Sequence, residues 1–376
     1  MKIVIDKKIP FINGVLEKYA EVVYLEGREI SRRDLLSADA LIIRTRTKCN
    51  KELLEGTAVR FIASATIGFD HIDTAYCEAH NVSWTNAAGC NSSSVQQYIA
   101  GALVHLAEKL NLTLAEMTIG VVGVGNVGSK VAKLCRAVGM KVLLNDPPRQ
   151  RKEGSDSFVS LDAIVEQSDI ITLHVPLNRD GIDKTFHMGN ESIFSRLKKD
   201  QILINSSRGE VVDTDALKSC RQEGKLAACI LDVWEREPDI DKELLGFVDV
   251  GTPHIAGYSA DGKANGTSMS VQALSRFFGL NLNTWVPATV PPPERPIIEL
   301  DCPGLSRQAM FVRLVRHTYD ILADDRRLKA SPQTFEKQRG EYPLRREFTA
   351  FTLHLRNASA DAVTLTRDLG FHISSM

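Results

Sequence analysis

Three polar residues stand just past apolar, strand-like runs. Arg208 follows QILINSS, Glu237 follows AACILDVWER and His254 follows VDVGTP. Histidine is the side chain whose ordinary pKa lies near neutrality, so His254 can take a proton from a hydroxyl and give it back. Glu237 beside it would favour the imidazolium and fix the orientation of the ring. Arg208, charged at any working pH, can hold a carboxylate or a developing alkoxide through charge-assisted hydrogen bonds. Taken singly, each residue has an ordinary structural reading: a histidine after a proline, a solvated surface glutamate, an arginine paired with Glu210 or Asp232. Convergence of three strand ends on one place favours the chemical reading. If the substrate supplies the partner of Arg208, its guanidinium should be solvated or hold a stray anion when no substrate is bound.

Oxidation of a hydroxyl-bearing carbon also needs a hydride acceptor, and VVGVGNVGSKVAKLC offers a place for one. GxGxxG falls at Gly123, Gly125 and Gly128, between a strand-like run and a helix-like one, and Asp146 ends KVLLND 18 residues after Gly128. In that context each glycine has its own duty. Gly123 allows the tight turn, Gly125 lets the backbone approach a pyrophosphate at the helix N-terminus, and Gly128 lets helix and strand pack closely. Asp146 can accept from the adenosine ribose hydroxyls, and a 2′-phosphate would meet its like charge. This favours NAD over NADP, while Arg149 and Arg151 lie near enough in sequence to soften the preference.

These residues must be positioned by a scaffold of strands. Continuous apolar runs fall at 2–6, 40–45, 60–66 and 82–86, then at 118–123, 141–146, 169–175, 201–207, 227–233 and 248–254. Such runs, separated by helical patterns, predict parallel α/β sheets buried on both faces. Two long helix-like segments, 92–110 and 260–280, bracket the second series. The expected fold class is α/β: two Rossmann-like, doubly wound parallel-sheet domains, one inserted in the other, plus a small C-terminal α+β module. The boundaries read as 1–93 with 256–285 for substrate binding, 94–255 for the dinucleotide and 286–376 for the tail, with ligands in the cleft between the first two. The tail opens at the proline cluster of WVPATVPPPERP and contains VRLVRHTYDILADDRR, which reads as one helix, and the alternating FTAFTLHL. It is too small to be very stable alone, and dimerisation is its default role.

Composition narrows the partners. A formal net charge of -1 gives no reason to expect nucleic acid or an anionic membrane. No run reaches the roughly 20 apolar residues of a membrane helix, and MKIVIDKKIP lacks the apolar core of a signal peptide. The seven cysteines are scattered without metal-ligand spacing, as expected of core fillers in a reducing cytoplasm. No metal site is expected.

GVGNVGSKVA, LLND, SDIITLHVPLN, INSSRGEVVD, ILDVWEREP and TPHIAGYS together resemble the D-2-hydroxyacid dehydrogenases in order and spacing. HIAGYSADGKANGT and the tail segments YDILADDRRLK and EYPLRREF place the resemblance in a branch acting on a phosphorylated hydroxy acid. The resemblance implies oxidation to the 2-oxo acid with NAD in a cytoplasmic homodimer. It implies that Arg208 orients the substrate, Glu237 supports the histidine and His254 is the acid/base. It implies cofactor contacts at Asn126, Val127, Asp146, His174, Val175, Ser206, Ser207, Arg208, Asp232 and Gly257, and substrate contacts at Thr45, Thr66 and Tyr258. This chain departs from the usual pattern at Val175, where the family often has Thr, and at Thr45, often Ser. Ala88 and Cys90 also replace a common proline-glycine turn. At Val175 only backbone contact remains. For the phosphate, IIRTRTK places Arg44 and Arg46 on one face of a strand end, near Lys48. Arg44 is the expected ligand, with Arg46 beside it as a candidate partner and Arg345 or Arg346 as other candidates; the ordinary reading of the loop is a solvated basic turn. Two other functions fit the same residues: a dehydrogenase for another D-2-hydroxy acid such as 3-phosphoglycerate, and a non-catalytic NAD(H)-sensing protein.

Overall fold

The computed structural model describes residues 1–374. The chain divides into two compact units, Met1–Asn91 with Ser259–Pro291, and Ser92–Tyr258 with the remainder from Pro292 on. The first unit holds a five-stranded parallel sheet of β1 (Lys2–Asp6), β2 (Glu21–Leu25), β3 (Ala40–Ile43), β4 (Phe61–Ser64) and β5 (Ser83–Asn86), in the order β2-β1-β3-β4-β5. The chain winds to one side of β1 and then to the other, so the sheet is doubly wound with its switch point beside β1. The central strands β3 and β4 are buried along their whole length. The helix Ala260–Phe278 returns to this sheet, and Val271 and Leu274 join its core.

The second unit holds β6 (Thr118–Val122), β7 (Lys141–Asn145), β8 (Ile170–Leu173), β9 (Ile202–Asn205), β10 (Ala228–Leu231) and β11 (Val250–Gly251). All are parallel, in the order β11-β10-β9-β8-β6-β7. Its switch point falls between β6 and β8, where the glycine turn leaves the sheet. β8, β9 and β10 are entirely buried, as their unbroken apolar runs predict. A third, parallel sheet pairs β12 (Ile297–Asp301), β13 (Thr352–Arg356) and β14 (His372–Ile373). Its own Leu353 and the neighbouring Phe311, Leu314 and Leu365 share one apolar cluster with Leu103, Ile119 and Leu134 of the dinucleotide half. Gln308 stitches the two parts by donating to the Leu112 carbonyl and accepting from the Leu114 N–H. The C-terminal segment is therefore built onto the core of the dinucleotide half.

Four local expectations are corrected. EVVYL, absent from the strand list above, forms the edge strand β2, half-buried because it pairs on one side only. The run at 248–254 keeps only Val250–Gly251 as strand, since Pro253 has no N–H and the Thr252 and His254 amides turn onto the carbonyls of Leu231 and Asp232. VRLVRHTYDILADDRR is two helices, Arg307–Thr318 and Ile321–Ala330. They part at extended Tyr319, and Asp320 caps the second by accepting from Leu322 and Ala323. Within FTAFTLHL only the part from Thr352 is strand; Phe348–Ala350 is a single 3-10 turn.

Candidate active site

The register of the second sheet lays out the site. Asn145, Val122, Leu173, Asn205, Leu231 and Gly251 align across six strands. One residue further along stand Asp146, Gly123, His174, Ser206, Asp232 and Thr252. This row lies at the C-terminal edge, where open α/β sheets bind ligands.

At the glycine turn, Gly123 has φ +84°, and a Cβ there would come 2.6 Å from the His174 carbonyl oxygen. A Cβ at Gly128 would overlap the Gly123 carbonyl oxygen. At Gly125, the N-cap of the helix Asn126–Val138, a Cβ would meet nothing within 4 Å. The turn is thus an open backbone cradle over the N-terminus of a 13-residue helix, which fits a pyrophosphate. Gly125 and Asn126 are exposed and Val127 half-buried. The Asp146 carboxylate accepts from the Val124 N–H at 2.8 Å and the Arg149 N–H at 3.0 Å. A carboxylate has about four acceptor positions, so two remain for a ribose diol. Arg149 is paired with Glu153 at 2.7 Å and Arg151 with Asp183 at 2.5 Å. With both arginines engaged by acids, a 2′-phosphate here would face the charge of Asp146. His174 contacts the Thr172 hydroxyl at 2.9 Å and the Ser206 hydroxyl at 3.5 Å, and burial pushes its pKa down to about 3, so it is neutral at working pH. Val175, half-buried, packs into the apolar cluster of Leu173 and Val122.

His254 and Glu237 are in contact, with Nδ1 2.7 Å from Oε2. The other carboxylate oxygen of Glu237 accepts from the Trp234 N–H at 2.9 Å. Burial pushes the Glu237 carboxyl up, but His254, the Trp234 N–H and the Arg339 guanidinium outweigh it and hold the pKa below the usual value. An ionised Glu237 assigns the proton to Nδ1 of His254 and leaves Nε2 as the acceptor. His254 adopts φ +55°, rare for a side-chain-bearing residue. The conformation is imposed by Asp232, which is 1% exposed. Its carboxylate accepts from the Thr252 hydroxyl at 2.6 Å and from the Ile255 and Ala256 amides, both at 2.8 Å. Tyr98 in turn donates to Thr252, and the Trp234 indole donates to the Thr252 carbonyl.

Arg208 is half-buried, and its Nη1 donates to the Ser207 carbonyl at 2.8 Å. Glu210 pairs with Arg179 at 3.7 Å, and Asp232 is committed to the His254 loop. Ser206 is half-buried, whereas Ser207 is buried and donates its hydroxyl to Asn205 Oδ1 at 2.8 Å. Asn205 also donates to the Arg208 carbonyl at 2.9 Å, which closes the turn.

Three residues missed in the sequence reading, and one read there in another role, hold this geometry. One is Asn205. A second is Gly209, where a Cβ would overlap the Trp234 carbonyl, so the Arg208 turn lies directly on the loop that carries Glu237. Trp234 is the third. The fourth is Arg345, named above as a phosphate candidate. It is 5% exposed and donates to the carbonyls of Ala256 at 2.5 Å and Ile255 at 3.3 Å, beside Tyr319. A buried cation needs such acceptors, and the His254 loop presents them. The adjacency of Gly209 to Arg208 was a visible signal; Arg345 had none. Gly257 and Tyr258 follow on the same loop, both half-buried, with Tyr258 edge-on to Tyr342 at 6.0 Å.

In the first unit, Arg44 and Thr45 follow β3 and Thr66 follows β4. Arg44 Nε lies 3.2 Å from the buried Asp6 carboxylate, an ion pair in place of a solvated turn. Thr45 is exposed, and the Thr66 hydroxyl is 2.8 Å from that of Ser64.

Residues 92–256 match the family model for the D-isomer specific 2-hydroxyacid dehydrogenase NAD binding domain, and residues 291–370 match a model described as a domain of unknown function. The chain is 50% identical over 354 residues to an erythronate-4-phosphate dehydrogenase of Bacteroides thetaiotaomicron, covering 94% of this chain and 99% of that protein. It is 44% identical to the protein of that name from Porphyromonas gingivalis, covering 99% of this chain and 100% of the relative. Among solved structures it is similar to the D-lactate dehydrogenase of Aquifex aeolicus complexed with NAD and lactic acid. That likeness has 28% identity and a TM-score of 0.60, over 74% of this chain and 96% of that one. The glycine cradle, the ribose acid and the matched domain agree on NAD as the cofactor, and the chain belongs to the erythronate-4-phosphate dehydrogenase family of the D-isomer specific 2-hydroxyacid dehydrogenases.

Proposed function

We propose that this chain oxidises erythronate 4-phosphate at C2, giving (R)-3-hydroxy-2-oxo-4-phosphooxybutanoate in the biosynthesis of pyridoxal 5′-phosphate (vitamin B6). The observation that carries the reading is the Glu237–His254 contact of 2.7 Å, made by the loops that follow β10 and β11 at the same sheet edge from which the glycine cradle leaves β6. NAD, when bound, supplies the acceptor for the C2 hydride. Gly123, Gly125, Asn126, Val127 and Gly128 would hold its pyrophosphate and Asp146 its ribose. His174, Val175, Ser206, Ser207, Arg208, Asp232 and Gly257 would complete its site. Nε2 of His254 takes the proton of the C2 hydroxyl, and Glu237 stabilises the resulting imidazolium through Nδ1. Arg208 holds the substrate carboxylate and the C2 oxygen as charge develops on it. Thr45, Thr66 and Tyr258 contact the substrate, with Arg44 toward its phosphate. The protein works as a cytoplasmic homodimer joined through its C-terminal segment; no helix among the described residues is long and apolar enough to cross a membrane. The test is anaerobic mixing with NAD and erythronate 4-phosphate, with 3-phosphoglycerate in parallel, followed at the nicotinamide absorbance. Reduction with the first substrate supports the reading. Reduction only with the second, or with neither, overturns it.

A further inference from the structure

We infer that Arg339, contributed by the C-terminal segment, binds the phosphate group of the substrate beside Tyr258; the inference rests on the reaction proposed above. Arg339 lies on the short helix Phe335–Gly340, in the same compact unit as the acid/base pair. Its guanidinium stands 5.7 Å from the centre of the Tyr258 ring and 5.9 Å from that of Phe335, and its side chain is 20% exposed. The Nε–H is buried and has no hydrogen-bond partner. On the other edge, Nη1 reaches Glu336 at a long 3.4 Å. Its charge is felt by Glu237, whose two oxygens are already taken by His254 and the Trp234 N–H. A guanidinium with an unused, desolvated donor therefore sits against Tyr258, on the loop that carries His254, without being part of the proton-transfer pair.

The substrate's shape says what that donor is for. With the C2 hydroxyl at His254 and the carboxylate at Arg208, the chain from C3 to the C4 phosphate leads away from Arg208, and its dianionic end needs more positive charge than the Arg44 proposed above supplies alone. The planar fork of arginine matches phosphate oxygens, and an aromatic neighbour keeps water from competing. Arg345, the other cation of this segment beside the His254 loop, also has unpaired Nε and Nη1 groups, but it is 5% exposed and its Nη2 is tied to two loop carbonyls, which keeps it in the core. The lactate enzyme, with lactic acid as its bound acid, aligns over 96% of its own length but only 74% of this chain. A large part of this chain thus has no counterpart in a protein whose bound acid carries no phosphate.

The experiment uses full-length protein, wild type and the variants Arg339→Gln and Arg339→Lys, and measures kcat/KM for erythronate 4-phosphate and for unphosphorylated D-erythronate. The ratio of the two should fall about 10-fold or more in Arg339→Gln, the scale of one charge-assisted hydrogen bond, and less in Arg339→Lys. Inorganic phosphate, competing with the substrate, should inhibit the glutamine variant less than the wild type. NAD binding, read by quenching of protein fluorescence, shows that each variant is folded. An unchanged ratio, or equal losses on both substrates, overturns the assignment. A wild-type protein that fails to oxidise erythronate 4-phosphate overturns the proposed reaction itself, and that failure appears before any variant is made.

Discussion

Replacing Glu237 by Gln separates charge from shape at the acid/base pair. Glutamine can still accept the Trp234 N–H at Oε1, so the loop keeps its 2.9 Å anchor. What is lost is the negative charge 2.7 Å from His254 Nδ1. Hydrogen bonds to a charged group contribute about 1.5–3 kcal/mol, and both partners are mostly shielded from water, with side-chain exposures of 18% and 29%. That corresponds to roughly 10- to 100-fold in a step that forms the imidazolium. The amide NH2 can also donate to Nδ1 and select the wrong tautomer, which adds to the loss. The expected result is a fall in kcat of about 100-fold. The assay is steady-state NAD reduction across pH, alongside NAD affinity. A variant with kcat within about threefold of wild type and unchanged NAD affinity would contradict this role for Glu237.

Other expectations follow from the same coordinates. Gly209→Ala forces the Arg208 turn off the Trp234 carbonyl; thermal melting should show a lower Tm, and activity at permissive temperature should fall with it. Gly128→Ala overlaps the Gly123 carbonyl oxygen and should weaken NAD binding measured by calorimetry. Burial holds His174 down at about 3, below the 6.5 of the unfolded chain, so the native state binds fewer protons between these values. Stability from this group is complete above about pH 6.5 and declines as pH falls toward 3, by at most about 1.4 kcal/mol per pH unit. Denaturant melts of His174→Asn should show a shallower acid branch.

Much of this was legible in the sequence because it was local. Unbroken apolar runs gave the buried strands, and glycine spacing gave the cradle. Arg208, Glu237 and His254 each sit a few residues past a strand, so parallel register brings Glu237 and His254 into contact. What was hidden depends on partners distant in sequence or on one-sided burial. EVVYL pairs with β1 alone, so its pattern is diluted by exposed positions. Asp232, read as a cofactor residue, also spends its carboxylate on the His254 loop, which no periodicity reports. Arg339 and Arg345 reach the Glu237–His254 neighbourhood from far along the chain, and tail composition suggests only a surface module.

The most direct test of the account is His254→Ala, with NAD affinity and a single turnover of erythronate 4-phosphate measured on the same preparation. The structure places His254 on a loop held by Asp232 and Arg345, apart from the glycine turn. The account predicts NAD binding within about twofold of wild type and a loss of turnover of at least about 1,000-fold, within the range for a positioned acid/base. Turnover retained within about tenfold, or NAD binding lost together with turnover, would contradict it.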